Sequence, residues 1–237
     1  MNFAGEKKYT TNPIYVGSSV IGMKFKDGVI IACDTRLNYG SIAKFQNIDD
    51  RVQRINANTM LASSGEYSDF QEVVRFLKET ALNDVLDKRS YLGPDELTNY
   101  LSSMHYYRRN KMNPYWNYTV TGGLSWDGKP VLYGVDQYGT LLKSDYMLVG
   151  MAIYFCNSII EPEYPLNFEE LSQDAAMNIL RKCFKVLFYR DTRAGNRIKF
   201  SVMKNQNGEV SYDEIFEDLE TEWDYKRFRY QANEKIY

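Results

Sequence analysis

One histidine, three cysteines and a scatter of serines and carboxylates are the groups in this 237-residue chain that could do chemistry. The histidine, His105, lies inside a helical pattern with no cysteine or acid at ligand spacing. A serine–histidine–acid hydrolase would have to recruit it, and its setting favours a packed or surface residue instead. Cys33, Cys156 and Cys183 stand far apart. An odd count without paired spacing argues against a disulfide framework and against a zinc site. Buried free thiols in a reducing compartment are the expectation. Two other groupings suit recognition. Arg108, Arg109 and Lys111 stand among aromatics, where they could be a solvated helix end favoured by the helix dipole or part of a protein contact. Trp223, Tyr225, Phe228 and Tyr230 alternate with charges near the end of the chain, and four aromatics in so short a run are costly to leave exposed.

Bulk composition removes several classes. Lys and Arg number 29 against 31 Asp and Glu, a net charge of -2, so there is no electrostatic case for nucleic acid or an anionic membrane. No apolar run approaches the roughly 20 residues that span a bilayer. Residues 1–17 lack the apolar stretch of a signal peptide, so secretion is not expected. With 20 Tyr, 12 Phe and 3 Trp, the chain is equipped for large buried contacts, subunit interfaces included.

The elements that must position these groups are legible as patterns. Residues 19–25 and 29–32 read as strands joined at Asp27-Gly28, a strong hairpin signal. The second is continuously apolar, as a strand buried on both faces is. A short strand at 41–45 and a hairpin of 52–55 with 59–62 follow. Phe70, Val73, Val74, Leu77, Ala81 and Val85 recur at helical spacing, with Ser68 and Gln71 as a capping box. Gly93-Pro94 opens a second helix, which Asn113-Pro114 ends. Strands return at 118–124, 131–135 and 140–143. Helical patterns at 150–160 and 168–189 follow, and a final hairpin joins 197–202 to 210–215. Strands, two helices, strands, two helices and strands predict an α+β four-layer α-β-β-α sandwich of one domain. Its bounds are 18–222, with an N-terminal extension or propeptide at 1–17 and a tail at 223–237.

Three segments carry a resemblance: Gly17-Ser18-Ser19, Gly28-Val29-Ile30-Ile31-Ala32-Cys33-Asp34, and Tyr189-Arg190-Asp191-Thr192-Arg193-Ala194-Gly195. With them the chain resembles, over nearly all of 10–237, the β subunits of the 20S proteasome, which have the N-terminal-nucleophile hydrolase fold. Thr10-Thr11-Asn12-Pro13 and the long segment from Tyr107 through Trp116 to Asn117 resemble the noncatalytic seventh β position of the ring. Active members use a threonine freed by cleavage after a glycine, so that its own amine serves as base. The resemblance puts that glycine at Gly17 and the nucleophile position at Ser18. Two family acids are kept, Asp34 and Asp191. The family lysine falls on Asp50, where a carboxylate would oppose a developing alkoxide. Arg51, next to it, would face the other way if the segment is a strand. Two orienting serines become Met151 and Ala194, which offer no side-chain hydrogen bond.

The resemblance therefore implies a structural subunit that supports ubiquitin-dependent and other proteasomal degradation, in cytoplasm and nucleus. Neither metal nor organic cofactor is implied. Implied partners are the sixth and first β subunits beside it, the α ring, and the opposite β ring reached through the tail. Trimming by a neighbour would fall at Tyr9–Thr10. Arg108, Arg109, Trp116 and the tail aromatics Trp223, Tyr225, Phe228 and Tyr230 would serve interfaces. The alternatives are an active N-terminal serine hydrolase using Ser18 after cleavage behind Gly17, and a free-standing binding domain of the same fold.

Overall fold

The computed structural model describes residues 15–87, 92–206 and 208–221. The described residues begin with β1 (Tyr15–Gly17), β2 (Val20–Phe25) and β3 (Gly28–Asp34), followed by β4 (Leu37–Tyr39) and β5 (Ile42–Phe45). A single 3-10 turn, Asp49–Arg51, leads into β6 (Val52–Arg54) and β7 (Thr59–Glu66). Helices α1 (Tyr67–Leu86) and α2 (Pro94–Asn110) come next, then β8 (Asn117–Leu124), β9 (Pro130–Val135), β10 (Leu141–Lys143) and β11 (Tyr146–Val149). Two short helices, α3 (Ala152–Phe155) and α4 (Asn157–Glu163), precede a 3-10 turn at Phe168–Glu170 and the long α5 (Gln173–Arg190). The hairpin of β12 (Arg197–Gln206) and β13 (Glu209–Asp218) closes the fold.

The strands form two antiparallel sheets. One runs β10-β9-β8-β7-β1-β4-β5 with β6 also paired to β7, and the other runs β11-β2-β3-β12-β13. Alternation within β2 and β3 explains the layering. Val20, Val29, Ile31 and Cys33 enter the core between the sheets, with Met60, Val120, Leu132 and Met203. Ile21, Met23, Phe25, Ile30 and Ala32 face the other way, against α3, α4 and α5. On the far side, Leu61 and Val135 meet Phe70, Val73, Leu77, Leu97 and Leu101 of α1 and α2. The result is the α-β-β-α sandwich, with the inner strands β2, β3, β7 and β8 buried on both faces. Among the described residues no helix is long and apolar enough to cross a membrane.

Four local expectations are corrected. Helix α1 starts at Tyr67, and its cap is Glu66, whose carboxylate accepts from the Ser68 hydroxyl at 2.8 Å, so Ser68 and Gln71 do not form the capping box. The pattern at 168–189 breaks at Ser172, whose Oγ accepts from the Ala175 amide and caps α5. The stretch 150–160 is two helices, divided at Cys156. Finally, residues 15–17 do not lie outside the domain: β1 is an interior strand, paired to β4 on one side and β7 on the other.

Candidate functional site

Ser18 follows directly from β1, and its surroundings are set by how β1 and β6 share one partner. Along β7, Ala62 pairs with Val52 of β6, whereas Gly65 and Glu66 pair with Gly17 and Val16 of β1. The two strands thus lie end to end on the same edge, with a break opposite Ser63 and Ser64. Ser18 and Arg51 meet at that break. The turn carrying Arg51 is held from the other sheet by the buried Lys199 of β12, whose Nζ donates to the Asp49 carbonyl at 2.7 Å.

Arg51 is 1% exposed and is among the largest fully buried side chains. Its Nη1 forms an ion pair with the Asp34 carboxylate and donates to the Asp34 carbonyl at 2.8 Å. Its Nη2 donates to the Ser18 carbonyl at 3.0 Å. Asp50 is exposed and accepts from Gln53 Nε2 at 3.0 Å. The expectation of a carboxylate beside Asp34 is therefore corrected: a cation stands there. The reason is local. Residues 49–51 turn as a 3-10 helix, so the strand alternation that would send Arg51 outward does not apply until β6 begins.

The second acid lies at the end of α5. Asp191 Oδ2 accepts from Ser18 Oγ, and its Oδ1 accepts from the Arg193 amide at 2.9 Å. The loop after it is stitched down at several points. The Gly195 amide donates to Asp34 Oδ2 at 2.7 Å, Arg36 Nη1 donates to the Ala194 carbonyl at 3.0 Å, and Asn38 Nδ2 donates to the Arg193 carbonyl at 2.9 Å. Asp34 is fully buried, and that burial pushes its carboxyl up, against the pull of Arg51 and of the Gly195 amide. Burial likewise pushes the neighbouring Cys33 thiol up to about 11.

Gly150 closes the site from β11. It has φ +72, and a Cβ there would come within 3.3 Å of both the Ser18 carbonyl and Ser19 Cα. Met151, next in the chain, packs against the helix-side core, and Ala194 is itself buried. The two positions bring side chains without hydrogen-bonding groups. Ser64, which sequence reasoning missed, donates its hydroxyl to the Gly17 carbonyl at 3.3 Å.

The other candidates lie elsewhere. His105 is buried on α2, with Nδ1 3.0 Å from the Asp136 carbonyl and its ring beside Tyr115, and burial holds its pKa down. Cys156 and Cys183 are buried together between α5 and the α3–α4 junction, and Cys33 lies between the sheets. Arg108 lies over the Tyr115 ring, and the exposed Arg109 over Tyr106 and Tyr138. Trp116 uses its backbone internally: its amide donates to Asp69 and its carbonyl accepts from the Glu66 amide. Tyr9, Thr10, Trp223, Tyr225, Phe228 and Tyr230 lie outside the described residues.

A four-layer sandwich with a hydroxyl residue between its first two described strands, two buried acids and a buried cation beside it defines a protein of N-terminal-nucleophile hydrolase architecture. The family model "Proteasome subunit" matches residues 14–203, and the chain belongs to that family. It is similar to proteasome subunit beta type-4 of Arabidopsis thaliana, 37% identical over 224 residues that cover 94% of this chain and 88% of the relative. The beta type-4 subunit of Xenopus laevis is 36% identical over 209 residues, covering 87% and 85% respectively. Proteasome subunit beta type-7 of Saccharomyces cerevisiae is 29% identical over 229 residues, covering 92% and 84%.

Proposed function

We infer that this chain is a noncatalytic structural β subunit of the 20S proteasome core particle, serving protein degradation by building the chamber in which other subunits cut. The observation that carries this reading is the setting of Ser18. A nucleophilic hydroxyl needs a neighbour that can take its proton and donors aimed where negative charge develops. The cation at this site is a guanidinium, which carries donors and no acceptor and is committed to Asp34 and to the Ser18 carbonyl. Met151 and Ala194 supply no donors. The kept acids are each shared with the backbone of the loop: Asp34 is paired with Arg51 and ties Gly195 to β3, while Asp191 accepts from Ser18 Oγ with one oxygen and shapes its own turn through Arg193 with the other.

Assembly is supported by what the fold leaves outside. Tyr106, Tyr107, Met112, Tyr154, Leu82 and Leu86 are each more than half exposed. In this reading the sixth and first β subunits are the ring neighbours, an α ring stacks on one side, and residues 223–237 reach the opposite β ring. Arg108, Arg109, Trp116 and the tail aromatics contribute to those contacts. The particle works in cytoplasm and nucleus. A neighbouring active subunit trims the chain between Tyr9 and Thr10. The test of noncatalysis is Ser18→Ala in the assembled particle, which should leave every peptidase activity unchanged. Loss of one activity with assembly intact would revive the reading of Ser18 as an N-terminal serine nucleophile.

A further inference from the structure

The three-residue strand β1 is poorly equipped to hold itself in place. It forms two residue pairs with β7 and three with β4, and short two-stranded pairings are marginal in water. It nevertheless sits between two strands, so its loss would split the sheet at that line. Its downstream end meets the break left by β6, where Arg51 fills the space.

We propose that Arg51 is the latch that seats β1 in the sheet and so fixes the segment ahead of Ser18. One planar fork joins three parts of the fold. Nη2 grips the Ser18 carbonyl just past β1, Nη1 grips Asp34 at the end of β3, and the guanidinium lies flat against Gly17. A Cβ on Gly17 would stand 2.8 Å from Nε and 2.9 Å from Nη2, so the contact with the strand is as close as a glycine permits. Lys199 and the Asp49 carbonyl fix the turn from which the fork projects. A buried cation is costly without partners: Asp34 neutralises Arg51, and the Ser18 carbonyl accepts from the Nη2 that would otherwise lack a partner. Seating of β1 therefore completes the partner set of Arg51. A lysine cannot substitute, because a single ammonium lacks the fork that reaches Asp34 and the Ser18 carbonyl together.

The latch works from both sides, which supplies two independent variants. Arg51→Lys keeps the charge and removes the fork. Gly17→Ala keeps the fork and pushes the strand away from it. Hydrogen exchange is followed in the full-length chain, purified with whatever it assembles with. In both variants the amides of Val16, Gly17 and Asn38 should exchange at least tenfold faster, while those of β8 and β9 keep their wild-type rates. Exchange at Val16 and Gly17 within twofold of wild type in both variants would overturn the proposal. So would equal acceleration across β8 and β9, since Arg51 would then be a general core residue with no special hold on β1.

Discussion

Cys33 stands one residue from Asp34 and points into the dry space between the sheets. Burial raises its thiol to about 11, with Arg51 pulling against that shift. A free thiol ionises near 8.5. At pH 7 both folded and unfolded chains hold the proton, and Cys33 contributes no pH dependence. Between about pH 8.5 and 11 only the unfolded chain ionises, so stability falls as pH rises through that window. The fall should be smaller in Cys33→Ala, by urea unfolding across the window. At pH 8 iodoacetamide should leave Cys33 unmodified until the chain is denatured; labelling of the folded chain would contradict this. The proposed trimming between Tyr9 and Thr10 is open to test as well. Intact mass of the subunit in the particle should show a chain beginning at Thr10, and a mature chain beginning at Ser18 would restore the hydrolase reading.

Helix α1 is launched by contacts that come from outside it. The Asn117 side chain donates to the Glu66 carbonyl at 2.8 Å, and the Glu66 amide donates to the Trp116 carbonyl at 2.9 Å. Gly65, at φ +108, makes room: a Cβ there would stand 2.0 Å from the Trp116 carbonyl. Asn117→Ala leaves the Glu66 carbonyl without its buried donor and should cost about 1–3 kcal/mol, read from denaturant midpoints. Fraying should be confined to the first turn, Tyr67 to Phe70, by hydrogen exchange. Such long-range caps are why α1 was legible as a helix while its start was not. The apolar spacing of Phe70, Val73, Val74 and Leu77 announces the helix, but nothing local says that Glu66 and Asn117 fix its end. The strands divide in the same way. β2 and β3 are apolar on both faces and readable; β1 and β11 span three or four residues and hold their places by partners distant in sequence. Arg51 escapes the strand reading because Asp49–Arg51 is a 3-10 turn, in which neighbouring side chains do not alternate between two faces. Ser18, Asp34 and Asp191 could be picked out from family resemblance, while Ser64 and Lys199 had no signal of their own.

At the scale of the particle, the proposed contact with the opposite β ring rests on residues 223–237. Fully extended, fifteen residues reach at most about 50 Å at roughly 3.3 Å each, far enough to touch another subunit. Anchoring must offset about 1–2 kcal/mol of backbone entropy per ordered residue, so the four aromatics are the groups that matter. Deleting 223–237 should leave this domain folded and cause half-particles to accumulate on native gels. Full double-ring particles forming at the normal rate and salt resistance would exclude a tail clamp. The place of β1 carries one more consequence, for the chain as it leaves the ribosome. Gly65 and Glu66, its partners on β7, are synthesised about fifty residues after it, a wait on the order of 2.5–10 s at roughly 5–20 residues per second. Throughout that interval β1 has an unpaired edge, open to other strands or to a chaperone. Its slot comes into existence only once Arg51 and β7 have followed it out, so β1 is locked later than strands made after it.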